Sequence, residues 1–306
     1  MNKHIYPILL VVAAAIWGFA FSAQKAAESV PAFTLGFGRS IFASVFLIFV
    51  VIAFDKIRHT GRYLFSKEKK VDLTKTEVVG GIISGVFLTM ASFFQQFGIN
   101  AGTDAGKSAF ITALYVVLVP IYALALRKKA AINVWISVVI AAVGFYFLCI
   151  SGEFTMVPSD VLVLICAFIF PLQILAIDHF SPRCDGIRMS LVQFITAALL
   201  NLILALALES PIGFTLIFDN ILPILFLGIG SSGIAYTLQI IGQKGVNPSA
   251  ASILMSLESV FGVIGSAIVL GEKMITREYI GCAIVFIAVI LSQLDLSSLL
   301  GRKTRE

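Results

Sequence analysis

The sequence predicts an all-α integral membrane protein with ten transmembrane helices in two inverted five-helix repeats. The chain is 59% hydrophobic and only 13% charged, with a mean hydropathy of +1.00, which excludes an ordinary soluble domain. An α-helix needs about 20 apolar residues to cross a hydrocarbon core of about 30 Å. Ten apolar stretches reach or approach that length: 5–24, 32–54, 77–99, 105–126, 131–151, 159–177, 187–208, 217–241, 247–270 and 277–294.

The chain also repeats itself at half its length. A shift of 143 residues places Gln96 on Gln239, and a shift of 153 residues aligns the first predicted span with the sixth. The difference between the two shifts is the extra length of the charged loop 55–76. The predicted units are residues 1–151 and 152–306. Because five crossings leave the chain on the far side of the membrane, the second unit must be inverted, as in many secondary transporters.

Basic residues predict the orientation, because lysines and arginines near span ends remain in the cytoplasm. With the amino terminus inside, 17 of the 22 basic residues fall on the cytoplasmic side and four on the other side. We therefore expect a multi-pass protein of the inner or plasma membrane with both termini cytoplasmic. The net charge of +5 then indicates anionic lipid headgroups at the cytoplasmic face, and it does not imply nucleic acid binding.

Spans 1 and 2 contain the first candidate site residues. Trp17, Phe21, Gln24 and Glu28 recur at the pitch of one helical face. Span 2 contains Arg39, the only arginine deep within a span. Charged side chains inside a membrane are costly and usually face the bundle interior or a wet cavity. An aromatic stripe also suits simple core packing, so Trp17 has two interpretations.

Spans 3 and 8 carry polar faces at equivalent positions of the two repeats. Polar side chains in a span usually face the interior, so these faces predict two walls of one polar cavity. The alternative is hydrogen bonding between helices, worth about 0.6 kcal/mol per bond. The faces are Thr89, Phe93, Gln96 and Asn100 in span 3, and Ser232, Tyr236, Gln239 and Gln243 in span 8.

The turn before span 4 resembles a nucleotide-binding motif. Residues 101–108 come within one residue of the phosphate loop GxxxxGK[ST]. That chemistry needs a preceding strand and a soluble parallel sheet, whereas this segment joins two spans on the side facing away from cytoplasmic ATP. We interpret it as a tight turn in which Lys107 extends towards the membrane interface.

Spans 4 and 9 each present two faces. One carries small residues and predicts close helix packing. The other carries Tyr115 and Glu258 at equivalent positions, and Glu258 is the only carboxylate deep within a span. Two roles remain open for Glu258: proton coupling, or a structural ion pair with Arg39. The small faces are Gly106, Ala109, Ala113 and Val116 in span 4, and Ser249, Ser252, Ser256 and Ser259 in span 9.

Span 6 places Gln173 two residues after Pro171. A proline within a span removes a backbone hydrogen bond, and such interruptions often lie near transport sites. Gln173 therefore joins the candidates for substrate binding. The complete set is Trp17, Gln96, Tyr115, Gln173, Ser232, Tyr236 and Gln239.

Cofactor, metal and enzyme signatures are missing from the sequence. The four cysteines include no CxxC spacing, which supports neither a disulfide nor a zinc site. The three histidines lie in predicted cytoplasmic segments. Neither HExxH nor GxSxG occurs. We therefore expect no cofactor, no metal and no enzymatic activity.

Several motifs in order resemble the EamA-type members of the drug/metabolite transporter superfamily. They are Trp17-Gly18 with Lys25 and Pro31, Arg39, the segment 106–120, Leu257-Glu258 and Leu270-Gly271-Glu272. The resemblance implies ten helices in two inverted repeats, alternating access and, commonly, export of amino acids or other small metabolites. Two departures stand out. Ser259 replaces a frequent proline, and residues 1–27 lack the embedded acid of small multidrug-type relatives, which argues against proton-coupled efflux of drug cations by that site.

The expected function is secondary transport of a small polar or amphipathic metabolite, with amino acid export as its specific form. The partners would be a small-molecule substrate and the lipid bilayer, and the sequence is compatible with a monomer or a homodimer. Two alternatives remain. An intramembrane enzyme would use Glu258 as general acid or base but needs a second catalytic group, and a passive channel would need rings of like polar residues.

Overall fold

The computed structural model describes residues 4–58, 73–128, 130–149, 157–209, 213–270 and 275–294, and apolar helices account for almost all of these residues. Most of the predicted basic loop, Glu272 and the basic residues of 301–306 lie outside the described residues. No β-strand occurs within the described ranges.

The helices follow the predicted spans closely. The first half contains α1 (Ile5–Ala26), α2 (Ala32–Arg58), α3 (Lys75–Asn100), α4 (Ala105–Ala113), α5 (Tyr115–Ala125) and α6 (Ile132–Cys149). The second half contains α7 (Pro158–Phe180), α8 (Gly186–Leu208), α9 (Phe214–Asp219), α10 (Ile221–Leu225), a π-helix (Phe226–Ala235), α11 (Tyr236–Gly242), α12 (Pro248–Met255), α13 (Glu258–Leu270) and α14 (Thr276–Gln293).

Ten of these segments cross the membrane. Within the described residues, nine are long and apolar enough to span, and Ile132–Leu148 is a shorter apolar tenth. Large apolar side chains such as Phe49, Leu208 and Leu222 are exposed on the outside of the bundle, where lipid tails would cover them. The predicted all-α fold of ten transmembrane helices in two inverted repeats is confirmed.

Spans 4 and 9 are interrupted at equivalent positions. Helix α4 ends at Ala113 and α5 begins at Tyr115, while α12 ends at Met255 and α13 begins at Glu258. The shift of 143 residues superposes these two interruptions. The break in span 9 forms although this chain has Ser259 in place of the proline that the resemblance leads us to expect. Discontinuous helices of this kind line the binding sites of many transporters.

Span 8 departs from its counterpart in the first half. Residues 226–235 form a π-helix, whereas the equivalent stretch of α3 is α-helical. A π-helix bonds i to i+5 and therefore turns less per residue than an α-helix, and such segments are frequent at functional sites.

Close packing of small residues brings the broken spans against their neighbours. A side chain added at Gly18 of α1 would meet Cβ of Phe261 in α13 at 2.5 Å, so only glycine permits this crossing. On the predicted small faces, the Ser259 hydroxyl donates to the Ala109 carbonyl at 3.3 Å. Spans 1, 4 and 9 thus meet at the centre of the bundle.

Charged groups at both ends of the bundle are paired or cap helices. Arg188 of α8 binds the Asp55 carboxylate of α2 at 2.6 Å. At the opposite end, the Glu209 carboxylate accepts hydrogen bonds from the backbone amides of Phe33 and Thr34 at 2.7 and 2.8 Å. These bonds cap the start of α2. These contacts hold helices of different spans together outside the central cavity.

Candidate functional site: a polar cavity at the centre of the bundle

A cavity of about 500 Å³ lies where the two halves of the chain meet. Its wall combines aromatic rings, amides and two ionisable groups. The aromatic residues are Trp17, Phe21, Tyr115, Phe170 and Tyr236; the amides are Gln24, Gln95, Gln173 and Gln239; the ionisable groups are Arg39 and Glu258.

Aromatic rings form the middle of the wall. The Trp17 and Tyr236 ring centroids are 4.7 Å apart, and Tyr115 lies 6.5 Å from Phe170. The Trp17 indole nitrogen donates to the Ser231 carbonyl at 3.2 Å. Because Ser231 lies in the π-helix, this bond fixes the Trp17 ring against a backbone that departs from regular α-helical bonding.

Amide clusters connect helices at both ends of the cavity. Near the end of α1, the Gln24 amide donates to the side-chain oxygens of Gln95 and Gln96 at 3.0 and 3.2 Å. Towards the end of α7, the Gln173 and Gln239 amides bond each other reciprocally, at 3.4 and 3.2 Å. The cavity is therefore polar at both ends and aromatic between them.

Arg39 enters the cavity wall from α2. Its Nε donates to the Ser232 hydroxyl at 3.0 Å and its Nη2 to the Ser231 hydroxyl at 3.1 Å. The π-helix directs these two successive hydroxyls to one guanidinium. No carboxylate of the described residues forms a salt bridge with Arg39.

Glu258 enters the wall at the start of α13. It is 6% exposed, and the Tyr115 side chain lies beside its carboxyl group. Its Oε1 has no hydrogen-bond partner. Arg39 and Glu258 therefore do not form the ion pair that was one of the two roles left open for Glu258, because serine hydroxyls hold Arg39 and Tyr115 accompanies Glu258.

Most of the predicted substrate-binding residues lie at this cavity. Gln96 and Ser232 do not line it, and their neighbours Gln95 and Ser231 do. Gln96 instead donates to Asn100 at 2.7 Å, and Ser232 supports Arg39. The residues that do line the cavity as predicted are Trp17, Tyr115, Gln173, Tyr236 and Gln239.

Sequence reasoning missed Gln95, Thr112 and Met255 as parts of this wall. Gln95 donates to the Thr112 hydroxyl at 3.0 Å. Thr112 and Met255 each lie three residues before Tyr115 and Glu258, on the same helical faces, but a threonine or a methionine does not by itself indicate a binding site. Gln95 and Gln96 are adjacent, and only the rotation of α3 about its axis decides which of the two faces the cavity.

A smaller cavity of about 240 Å³ lies between α2, α3 and α8. Arg39 borders both cavities, and Ser40, Thr89, Ser92 and Asn201 add hydroxyl and amide groups to the smaller one. Thr89, predicted on the wall of the main cavity, lies here instead. Arg39 thus lies at the boundary between the two cavities.

The segment that resembles a phosphate loop is a turn between α3 and α4. Gly102 has a φ of 110°, a conformation that glycine adopts readily. Lys107 pairs with the fully buried carboxylate of Asp160 at the start of α7. No group of three or more histidine, cysteine or acidic side chains suited to a metal occurs in the described part of the chain.

The chain is similar to known transporters in sequence and to a solved structure in fold. The profile described as the EamA-like transporter family matches residues 4–150 and again residues 157–294. A protein of Archaeoglobus fulgidus named "Uncharacterized transporter" is 30% identical over 295 residues, covering 95% of this chain and 87% of that protein. A solved structure titled only "Crystal structure of protein" superposes with a TM-score of 0.75 at 18% identity, covering 97% of this chain and 99% of that chain.

Proposed function

Since this chain belongs to the EamA-like transporter family of the drug/metabolite transporter superfamily, we propose that it is a secondary transporter of a small polar or amphipathic metabolite, with amino acid export as the specific form. Family membership makes it a multi-pass membrane transporter. The substrate, the direction and the alternating-access mechanism are the proposal.

The central cavity is the observation that carries this proposal. It lies between helices of both halves and combines aromatic surface with amide, hydroxyl and charged groups. Small-molecule sites are mostly apolar with a few convergent polar groups. Aromatic rings such as Trp17 and Tyr236 would cover an apolar part of the substrate, while the polar groups orient the rest.

Two amide clusters at opposite ends of the cavity support alternating access. We call Gln24, Gln96 and Asn100 the α1–α3 clasp; its outermost bond joins the Asn100 amide to the Val30 carbonyl at 3.0 Å.

The second cluster is the α7–α11 clasp, formed by Gln173, Gln239 and Gln243. Its outermost bond joins the Gln243 amide to the Ile174 carbonyl at 3.1 Å. Because α3 and α11 belong to oppositely directed spans, the two clasps close opposite ends of the cavity, as two alternating gates would.

The two repeats, residues 1–151 and 152–306, would rock around this cavity in the inner or plasma membrane. Both termini would be cytoplasmic, anionic headgroups would lie against the basic loops, and the unit would be a monomer or a homodimer. The charge asymmetry of the sequence supports this arrangement.

Counterflow in liposomes that contain the purified full chain tests the proposal. We expect saturable, trans-stimulated exchange of at least one solute from a panel of amino acids and other small metabolites. A channel gives no trans-stimulation, and an enzyme releases a changed product.

Matched glutamine variants locate the site. Gln95→Leu and Gln239→Leu should each reduce exchange about tenfold or more, because leucine is tolerated in lipid but cannot donate or accept hydrogen bonds. Gln193→Leu, at a buried glutamine of α8 that does not line the cavity, should leave exchange close to wild type. Equal effects of all three substitutions would contradict the location.

A further inference from the structure

Two ionisable side chains reach the central cavity from different helices without pairing. Arg39 of α2 and Glu258 of α13 are 8% and 6% exposed, and both border the cavity. Unpaired charges buried away from water are costly, and burial is tolerated when a partner supplies the opposite charge. No described residue supplies that charge to Arg39.

The unused bonding capacity of the cavity lies on these two groups. The Arg39 Nε and Nη2 are occupied by Ser232 and Ser231, which leaves Nη1 without a bond to any described residue. The Glu258 Oε1 likewise has no partner. A planar guanidinium suits a carboxylate, and a carboxylate suits an ammonium group.

The amides of the cavity are less available. Gln173 and Gln239 occupy each other's donor and acceptor atoms. Gln95 accepts from Gln24 and donates to Thr112. A ligand that bonds these amides must first break existing bonds, whereas Arg39 and Glu258 offer free ones.

We propose that Arg39 and Glu258 are the charge-recognition residues of the cavity, with Arg39 binding a carboxylate and Glu258 binding an ammonium group. The aromatic residues that line the same cavity receive an apolar or aromatic side chain. The site therefore selects a zwitterion over ligands with one of the two charges. This inference rests on the transport function proposed above and adds which residue reads each charge.

Single-charge ligands are disfavoured for a physical reason. An organic cation at Glu258 leaves Arg39 without a counter-charge and close to a like charge. An organic anion at Arg39 leaves Glu258 without a counter-charge and close to a like charge. Either arrangement leaves one buried charged group unsatisfied, so single-charge ligands bind more weakly.

Two ligand sets test the assignment on the purified full chain, by calorimetry and thermal shift. The first contains L-phenylalanine, 2-phenylethylamine and 3-phenylpropionate, and the second contains L-leucine, 3-methylbutylamine and 4-methylpentanoate. Each set keeps the side chain and removes one charge. We expect at least one zwitterion to bind about tenfold or more tightly than its amine and its acid.

Variants assign each charge to a residue. Glu258→Gln should reduce the preference for the zwitterion over the acid to near one, while the preference over the amine remains. Arg39→Gln should reduce the preference for the zwitterion over the amine to near one, while the preference over the acid remains. Each preference is a ratio within one variant, so the folded fraction cancels. Arg277→Gln and Glu278→Gln, on α14 away from the cavity, serve as matched controls and should keep both preferences.

If a neutral variant does not fold, Arg39→Lys and Glu258→Asp replace it, because each keeps its charge and moves it. Both should weaken zwitterion binding several-fold and preserve the preference over single-charge ligands. Tighter binding of an amine or acid than of the zwitterion overturns the inference, as do preferences unchanged in Arg39→Gln and Glu258→Gln. Zwitterion affinity unchanged in Arg39→Lys and Glu258→Asp overturns it as well.

Counterflow distinguishes failure of this inference from failure of the proposed transport function. Saturable exchange of some other solute, with no binding of either zwitterion, overturns the charge assignment and leaves transport standing. No saturable exchange of any solute overturns the transport function, and the charge assignment falls with it.

Discussion

Glu258 is the residue whose interpretation differs most between the sequence and the structure. Loss of one partner of a buried ion pair is strongly destabilising, because the other charge is left uncompensated. Here the carboxyl has Tyr115 beside it and one oxygen without a bond. Its presence therefore costs stability, which is typical of groups kept for ligand binding.

We predict that Glu258→Gln keeps or raises the thermal stability of the ligand-free protein while zwitterion binding is weakened to about the affinity of the corresponding acid. Glutamine has nearly the same shape and removes the ionisable group from a buried site. The midpoint of thermal unfolding in detergent, measured with and without ligand, checks both parts. A clear fall in the ligand-free midpoint would mean that Glu258 has a structural partner after all.

A double-mutant cycle provides the control. Arg39→Gln and Glu258→Gln should show a stability coupling near zero, since the two side chains form no salt bridge. Arg188→Gln and Asp55→Asn, from a buried pair at 2.6 Å, should show a coupling of about 0.5–3 kcal/mol. A comparable coupling for both pairs would restore the ion pair that the sequence suggested.

At the scale of helices, the two clasps have opposite expected effects. Asn100→Leu removes the bond to the Val30 carbonyl, and Gln243→Leu removes the bond to the Ile174 carbonyl. One bond is worth about 1 kcal/mol, which is about fivefold in a two-state equilibrium. Each variant should therefore favour opening at its own end of the cavity.

A single cysteine at Ala20, which lines the cavity, reports these openings. In a background without the native cysteines, an impermeant thiol reagent outside intact cells should label Ala20→Cys faster in the Asn100→Leu variant. In inside-out vesicles, the reagent should label Ala20→Cys faster in the Gln243→Leu variant. Acceleration by both variants from the same side would show that the clasps are not opposing gates.

The broken helices and the π-helix explain why the site forms where it does. Interrupting spans 4 and 9 at equivalent positions places Tyr115 and Glu258 side by side at the middle of the bundle. The π-helix turns two serine hydroxyls towards Arg39. These irregular segments are tolerated in a membrane because they line a cavity and face away from lipid.

For the whole molecule, the distribution of basic residues makes a topology prediction. In a background without the native cysteines, Lys67→Cys should be shielded from an impermeant thiol reagent in intact cells, whereas Lys273→Cys should react. The physical reason is that basic loops stay in the cytoplasm. Permeabilised cells, in which both cysteines should react, are the control. The reverse pattern in intact cells would invert the orientation and the direction assigned to each clasp.

The sequence by itself determined the class of the protein, its ten spans and its inverted repeat. Lipid offers no hydrogen bonds to the backbone, so a crossing segment must be a long apolar helix, and that requirement is visible in composition and length. The same spacing rules located Trp17, Tyr115 and Tyr236, because polar and aromatic residues on one helical face in a span avoid the lipid.

Only the tertiary structure decided which neighbour of each polar pair faces the cavity and which charges pair. Gln95 replaced Gln96, and Ser231 replaced Ser232, because the facing of a side chain depends on the rotation of its helix, and the π-helix changes that rotation in one repeat but not in the other. Arg39 and Glu258 remained apart for a related reason. The bonds that hold each of them come from helices distant in sequence, and no spacing along the chain encodes those approaches.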